Sequence, residues 1–336
     1  GNYFLTARTT MSNNMQQTLV SCWVRTLRLH VYRQRENLLR AALKHRSIGK
    51  AEMIHDIKAA IDSGSGYATG KLGLSQKQWM YYEIFRATNN GDTQALRKYE
   101  NNLEFHALNQ EGIFPASMDF YLEFNRFYIE HVKNLDCLGL CYQPASMEMQ
   151  LIKYYGLKNK FIHYLFQEPD LSVGLCYLPY FKDQKLLLVC PFADILKERA
   201  TKQIFEGVWA KTGKPWFYPK EVDAVEFPYG FATATHQRYS TVIDLFEAIM
   251  RQIEQKSFDV ALIAAGGLSI PIASTIKNMG KVAIDLGGHL QFLFGVIGQR
   301  WRTEENRRNI FTEWWIDMPE KYKPKEINVC DNGAYW

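Results

Sequence analysis

The stretch from Phe258 to Trp301 constrains the fold more than any other part of the chain. It begins with an unbroken apolar run, residues 259–265, which is typical of a strand buried on both faces of a sheet. Two glycines follow, then apolar residues at helical spacing from Leu268 to Met279, and then a second apolar run, residues 281–286. Because a strand, a helix and a strand in this order make neighbouring parallel strands, the stretch predicts a βαβ unit.

Apolar runs and helical patterns alternate along the rest of the chain, which is typical of a layered α/β fold. The other predicted strands are residues 135–142, 185–190 and 222–227. Helices are predicted over residues 16–44, 53–61, 76–88, 96–108, 118–134, 147–154, 159–165, 194–205 and 241–256. We therefore expect a Rossmann-like, mostly parallel sheet flanked by helices over residues 45–336, as one unit or as two lobes, 45–180 and 181–336. A helical N-terminal segment, residues 1–44, would precede it.

The composition is that of an ordinary globular protein, with 47% hydrophobic and 22% charged residues. The net charge of +5 fits an anionic ligand or an acidic membrane surface, and it is too diffuse to indicate nucleic acid. Six cysteines occur without a CxxC spacing, which favours reduced thiols and no zinc site. No apolar run reaches the roughly 18 residues of a membrane span. We expect a cytoplasmic protein, either free or at the inner face of the membrane.

The helix predicted over residues 16–44 is both apolar and basic. Its apolar positions are Leu19, Trp23, Leu27, Val31, Leu38, Leu39 and Leu43. Its arginines are Arg25, Arg28, Arg33, Arg35 and Arg40. Such a helix either packs on the fold with a solvated basic face or contacts anionic lipid or a partner. Separately, a homo-oligomer is among the expected partners of the chain.

Two glycine pairs mark the expected ligand site. Gly266-Gly267 and Gly287-Gly288 each follow a strand of the βαβ unit, and ligands of parallel sheets bind beyond the carboxyl ends of the strands. Glycine lets a ligand approach the main chain, and a helix start offers unpaired N–H groups to an anion. The pairs therefore predict a site for a nucleotide diphosphate. Tight packing of the two turns is the alternative interpretation.

Two segments nearer the N-terminus add candidates to this site. A short strand ending at Gly49 would place Glu52 in the first turn of a helix, with its carboxylate toward the cleft. The alternative is an acidic residue that only stabilises the helix start. The glycine-rich segment 63–73 is predicted to be a mobile lid that offers Lys71 to an anion, or else a plain loop.

The opening stretch, the segments SIGKAE, GIFP and VCPFAD and the final GAYW together resemble one family. Its members are glycosyltransferase-like proteins with the GT-D fold, encoded in bacterial capsule and O-antigen polysaccharide loci. The resemblance covers residues 45–336 and is most specific near the C-terminus. It implies a Rossmann-like nucleotide-sugar enzyme that builds a surface glycan.

The chain departs from this family at two motifs. Characterised GT-D enzymes carry an acidic DxE motif where this chain has residues 285–291 without paired carboxylates. In their N-terminal motif, Gly49 and Glu52 match, but Ser47 and Lys50 replace an arginine and an aspartate. The resemblance therefore does not imply a protein-held divalent metal ion, and no metal ligand is predicted. The leaving diphosphate would instead be stabilised by cationic side chains, for which the sequence offers Lys50, Lys71, His289 and Arg300.

We expect glycosyl transfer from a nucleotide-diphosphate sugar to a glycan or a lipid-linked acceptor. Gly266, Gly267 and Ser269 would bind the nucleotide, while Gly287, Gly288 and His289 form the adjacent wall and Gln291 binds a hydroxyl. Glu52 is the first candidate for the general base and Asp285 the second, so Glu52→Gln is expected to abolish turnover. The alternatives are a non-catalytic nucleotide-sugar-binding or assembly protein and a transferase of a pyruvyl or phosphoryl group onto a glycan.

Overall fold

The computed structural model describes residues 3–169, 174–326, 330 and 333–336; within its first helix, it describes the side chains of residue 21 and of residues from 24 onward. The helices are α1 (Tyr3–Arg46), α2 (Lys50–Ser63), α3 (Leu74–Thr88), α4 (Thr93–Glu104), α5 (Met118–Asn134), α6 (Ala145–Tyr155), α7 (Ala193–Arg199), α8 (Lys202–Val208), α9 (Thr233–Arg238), α10 (Val242–Glu254), α11 (Ser269–Asn278), α12 (His289–Leu293), α13 (Gln299–Thr303) and α14 (Glu305–Arg308). The strands are β1 (Tyr67–Leu72), β2 (Cys137–Leu140), β3 (Lys160–His163), β4 (Lys185–Val189), β5 (Glu221–Val225), β6 (Val260–Ile263), β7 (Val282–Asp285), β8 (Val296–Ile297) and β9 (Ile316–Asp317).

The first seven strands form one parallel sheet in the order β3-β2-β1-β7-β6-β4-β5. The predicted βαβ unit is confirmed, because β6 and β7 are parallel neighbours joined through α11, with Ile263 opposite Asp285. With helices on both sides of the sheet, the α/β Rossmann-like class is confirmed as well. The sheet continues through both proposed lobes, since β1 from the first half of the chain pairs with β7 from the second.

Side-chain alternation along the strands divides the interior into two cores. On β4, Leu187 and Val189 belong to the core under α5, α10 and α11, whereas Leu186 and Leu188 face α7, α8 and α12. Successive residues of a strand point to opposite faces, so an unbroken apolar run can serve both cores. This is the physical reason that the continuous apolar runs became central strands.

The helix before β6 follows the predicted pattern closely. In α10, Val242, Leu245, Ile249 and Ile253 are buried at helical spacing against the first core. The hydroxyl of Thr241 accepts a hydrogen bond from the Asp244 N–H, and the Asp244 carboxylate accepts one from the Thr241 N–H. This reciprocal cap fixes where the helix begins.

Three local predictions were wrong. The glycine-rich segment 63–73 is not a lid or a loop throughout, because residues 67–72 form the central strand β1. The helix predicted over residues 159–165 is instead β3 followed by a 3₁₀ turn at Tyr164–Gln167. The short strand expected to end at Gly49 is reduced to a single bridge between Ser47 and Phe161. Each of these segments takes its structure from pairing with another strand, which its own local pattern does not show.

The glycines of segment 63–73 led to the wrong prediction of a flexible segment. Gly70 in β1 is there for close packing instead. A Cβ added there would lie 2.6 Å from Ile270 Cγ1 and 2.6 Å from Leu135 Cδ1. Gly70 therefore serves the close approach of α11 to the sheet, which a larger residue would prevent.

Replacing Gly70 by alanine is expected to lower the free energy of unfolding by about 1–3 kcal/mol, because the added methyl overpacks the α11 contact. Urea unfolding followed by circular dichroism measures this change. Gly174→Ala is the matched control, since a Cβ at Gly174 would meet no described atom within 4 Å. Equal stability of the two variants would contradict the packing role of Gly70.

Among the described residues, no helix combines the length and the apolarity needed to cross a bilayer.

Candidate active site

The two glycine pairs lie at the same edge of the sheet. Gly266-Gly267 follows β6 and Gly287-Gly288 follows β7, and these parallel strands are neighbours. On the other side of β7 lies β1, whose fifth residue is Lys71. The carboxyl ends of three adjacent strands therefore bring these segments together, which is where parallel sheets bind their ligands.

The glycine corner after β6 is closed by the chain itself. The Gly267 N–H donates to the carbonyl oxygen of Glu111 at 3.1 Å, and a Cβ at Gly267 would lie 2.4 Å from the Ile113 side chain. Gly266 has φ +53°, and a Cβ there would lie 2.9 Å from the same Glu111 oxygen. This differs from the predicted open phosphate cradle, because the turn that carries GIFP packs against the corner.

The corner after β7 is open at its first glycine and covered at its second. Gly287 has φ +54°, and a Cβ there would meet no described atom within 4 Å. At Gly288 a Cβ would lie 2.6 Å from a ring carbon of Tyr335. The Gln291 amide donates to the Tyr335 carbonyl oxygen at 3.0 Å. The C-terminal residues thus cover one side of this corner and leave Gly287 accessible.

Asp285 is buried and joins these strand ends. Its carboxylate accepts hydrogen bonds from the main-chain N–H of Lys71 at 3.2 Å and of Gly287 at 3.1 Å, and the Ser269 side chain also hydrogen-bonds to it. Burial raises the pKa of Asp285 to about 6, although Lys71 and these donors lower it. A carboxylate held by so many donors at this point fixes the geometry of β1, β7 and α11.

A second carboxylate, Glu168, links Lys71 and His289. Glu168 Oε1 accepts a hydrogen bond from Lys71 Nζ at 3.0 Å, and Glu168 Oε2 lies 3.1 Å from His289 Nδ1. Lys71 Nζ also donates to the Leu286 carbonyl oxygen at 3.1 Å. These contacts connect β1, β7 and the segment after β3 in one polar group, which we call the Glu168 cluster (Lys71, Glu168, Asp285 and His289).

Burial and charge set the protonation states in this cluster. Burial opposes ionisation of Glu168, but the Lys71 charge and the His289 hydrogen bond hold the pKa of Glu168 well below its ordinary value. Burial lowers the pKa of His289 below its ordinary value, against the opposing effect of Glu168. At neutral pH the arrangement is therefore a carboxylate that accepts a hydrogen bond from the Nδ1–H of a neutral imidazole. In that tautomer Nε2 carries the lone pair.

Several buried polar atoms around the cluster have no hydrogen-bond partner among the described residues. They are His289 Nε2, Gln291 Oε1, Gln167 Oε1 and Arg307 Nη1. Native proteins leave few buried polar groups unpaired, so such atoms indicate where water or a ligand belongs. His289 Nε2 is the best candidate for catalysis among these atoms, because its lone pair can accept a proton.

The other predicted residues are divided between this cluster and the surface. Lys50 reaches the cluster, where its Nζ donates to the Glu168 carbonyl oxygen at 2.9 Å, and Gly49 is the residue before α2. Arg300 is exposed, with its guanidinium 5.5 Å from the centre of the Tyr335 ring. Glu52 instead pairs with Lys160 at 3.1 Å, and its side chain is half exposed.

Glu168 and Arg307 were not predicted from the sequence, nor was the cover that Glu111 and Tyr335 give to the two glycine corners. Glu168 follows β3, and the wrong helix over residues 159–165 hid the strand whose carboxyl end carries it. Arg307 lies in the tail, with its guanidinium 4.8 Å from the centre of the Phe292 ring. A carboxylate just beyond a correctly assigned strand would have indicated Glu168.

The acidic side chains at this edge do not fit a protein-held divalent metal ion. Within the described ranges, no three His, Cys, Asp or Glu side chains are grouped so that they would hold one. Glu168 faces Lys71 and His289, and Asp285 accepts hydrogen bonds from main-chain donors.

Comparison with known proteins gives one match. Residues 233–293 match a family model described as a GT-D fold-like domain. No curated protein matches the chain, and no solved structure matches it either. The matched segment contains β6, α11, β7 and α12, and with them both glycine pairs, Asp285 and His289. This part of the chain is therefore similar to a GT-D fold-like domain, and the likeness supports a glycosyltransferase-like fold.

Proposed function

We propose that the protein transfers a sugar from a nucleotide-diphosphate donor to a hydroxyl of a glycan or a lipid-linked acceptor. The observation that carries this proposal is the Glu168–His289 pair, with an unpartnered Nε2 at the carboxyl edge of the sheet. The GT-D fold-like segment that contains His289 supports the same class of reaction. Surface polysaccharide biosynthesis remains the pathway that the family resemblance implies.

His289 is the general base in this proposal. Its Nε2 takes the proton of the acceptor hydroxyl while the acceptor oxygen bonds to the anomeric carbon of the donor sugar. The bond from that carbon to the diphosphate oxygen breaks, and the nucleoside diphosphate leaves with the electron pair. Glu168 holds the imidazole through Nδ1 and stabilises the imidazolium, as the acidic partner does in other carboxylate–histidine pairs.

The leaving diphosphate would bind near Gly287, where cationic side chains surround it. Lys71 and Lys50 both reach Glu168, and Gly287 next to them leaves room for a ligand at the main chain. Arg300 lies beside Gly288, with Nη1 3.7 Å from the position of an added Cβ. Fixed cations near a developing negative charge stabilise the transition state, and they do so without a metal ion.

A nucleotide-sugar-binding or assembly protein without catalysis is the second candidate. The closed corner after β6 favours it, because the Gly267 N–H is already bonded to Glu111. The cover of Tyr335 on Gly288 favours it too. Such a protein would bind its ligand at the open main chain of Gly287 and perform no chemistry with His289.

A panel of purified sugar nucleotides tests both candidates by thermal shift and by release of nucleoside diphosphate, with and without oligosaccharide or lipid-linked acceptors. We expect a shift together with release for the enzyme, and a shift without release under any condition for the binder. Lys71→Gln should weaken the shift, while Lys98→Gln, at an exposed position of α4, should leave it unchanged. The absence of a shift with every nucleotide would contradict both candidates.

A further inference from the structure

The N-terminal helix α1 extends beyond the body that it packs on. Among its described side chains, those held by the fold lie in its last part, where Leu43 is buried and the buried Glu36 carboxylate accepts a hydrogen bond from the Ala145 N–H at 2.8 Å. From residue 24 to residue 35 every side chain is exposed. About three turns of this helix therefore present their whole circumference to the surroundings.

Four exposed aliphatic side chains, three of this part and one just beyond it, share one face of the helix, while Leu29 and Tyr32 are exposed on other sides. Val24, Leu27, Val31 and Leu38 lie within one sector of the helix, at an advance of about 100° per residue. Their side chains are 43%, 62%, 59% and 72% exposed. Leaving four aliphatic side chains in water is unfavourable, so a face of this kind is typical of an interaction surface.

The same helix is strongly basic. Its exposed cationic side chains between residues 24 and 46 are Arg25, Arg28, Arg33, Arg35, Lys44 and Arg46. The single acidic residue of that range, Glu36, is buried in its contact with α6. Every exposed ionised side chain of this stretch is therefore positive, and Arg28 and Arg35 lie along the border of the apolar face.

We propose that α1 docks on an anionic membrane surface, with its apolar face among the acyl chains and its arginines at the lipid phosphates. An apolar stripe bordered by cations is the pattern of helices that lie in the plane of a membrane. A second copy of the chain fits less well, because two such helices would bring like charges together. This inference rests on α1 alone and not on the proposed glycosyl transfer.

Docking through α1 would also orient the α/β domain relative to the membrane. α1 borders a cavity of about 470 Å³ whose walls include Arg33, Arg40, Leu74 and Pro144. Leu74 follows β1 and Pro144 follows β2, so the cavity opens at the same edge of the sheet as the Glu168 cluster. Arg33 and Arg40 lie on the side of α1 opposite Val31, so a helix docked through its apolar face would leave this cavity uncovered, on the side that faces away from the lipid.

Co-sedimentation of the full chain with vesicles tests the proposal. We expect binding to vesicles of phosphatidylcholine with phosphatidylglycerol, little binding to phosphatidylcholine alone, and loss of binding at high salt, since salt screens these charges. The pair Arg28→Gln and Arg35→Gln should weaken binding about tenfold or more. Leu27→Gln with Val31→Gln should weaken it as well, because the apolar face is lost.

The matched control is the pair Arg97→Gln and Lys98→Gln, which removes the same charge from exposed positions of α4. Circular dichroism and the thermal midpoint establish that all variants fold alike. The proposal is overturned if the chain ignores anionic vesicles at low salt, or if the control pair loses as much binding as the α1 pair. It is also overturned if sedimentation velocity shows an α1-dependent dimer that does not bind vesicles, or if α1 binds RNA in preference to them.

Discussion

His289→Gln is expected to lower the turnover of the proposed transfer about 10²–10⁴-fold, because the acceptor hydroxyl loses its general base. Donor binding should change little, since the cations at Gly287 remain. Turnover is measured as release of nucleoside diphosphate in the presence of acceptor, and donor binding by calorimetry. Glu247→Gln is the control, since Glu247 is an exposed carboxylate of α10 that pairs with Arg251.

The pH dependence of kcat/KM separates a catalytic imidazole from a structural one. Burial keeps the pKa of His289 below its ordinary value, so the active neutral form is lost only as the pH falls through that lowered pKa. We expect activity to stay level through neutral pH and to fall on the acidic side. Glu168→Gln should move this acidic limb, because Glu168 acts through His289 as a positioning residue.

Glu52→Gln distinguishes the two general bases. The sequence motif predicts that this variant abolishes turnover, whereas the pairing of Glu52 with Lys160 predicts a small effect. Full activity of His289→Gln together with an inactive Glu52→Gln would contradict the mechanism based on the Glu168 cluster. The opposite result would remove Glu52 from the reaction.

Lys77→Met is expected to lower the free energy of unfolding by about 3–5 kcal/mol, because it leaves the Glu148 carboxylate buried without its cation. Both side chains are fully buried, and Lys77 Nζ donates to Glu148 Oε1 at 2.8 Å. Glu148 also accepts hydrogen bonds from the main-chain N–H of Cys141 and Tyr142, each at 3.0 Å. Urea unfolding measures the change as a shift of the midpoint.

Lys98→Met provides the matched control, since it removes an exposed lysine from α4 and should cost less than about 0.5 kcal/mol. Lys77→Met in combination with Glu148→Gln completes a double-mutant cycle. If the pair is coupled as described, the double variant is less destabilised than the sum of the two single variants. Additive losses would contradict the coupling.

The fold was predictable from the sequence where several local signals agreed. The stretch from Phe258 to Trp301 has apolar runs of strand length, a helical spacing between them and glycines at the turns, and it folds as β6, α11 and β7. β1 and β3 were missed for the opposite reason. Gly70 and Lys71 interrupt the apolar pattern of β1, and β3 is a four-residue strand that begins with Lys160 and ends with His163, so neither shows the apolar run that marked β6 and β7.

The site was predictable only in part. The sequence indicated Asp285 and His289 because they lie beside the glycine pair that follows a predicted strand, and Lys71 because it lies in the glycine-rich segment predicted to be a lid or a loop. It did not indicate Glu168, whose position depends on the missed strand β3. Nor did local patterns show that Glu111 closes one corner and that Tyr335 covers the other. Such contacts join segments through space, and hydrophobic periodicity carries no signal for them.

The continuous sheet bears on how this chain would be dissected. β1 lies between β2 and β7, although β7 is encoded more than half the chain later. A cut near residue 180 would place β1 and β7 in different fragments and separate these paired strands. Each fragment would then expose an apolar sheet edge, and such edges are templates for association with other chains. Fragments produced by such a cut are therefore expected to aggregate, and their behaviour would not show whether the two halves have separate functions.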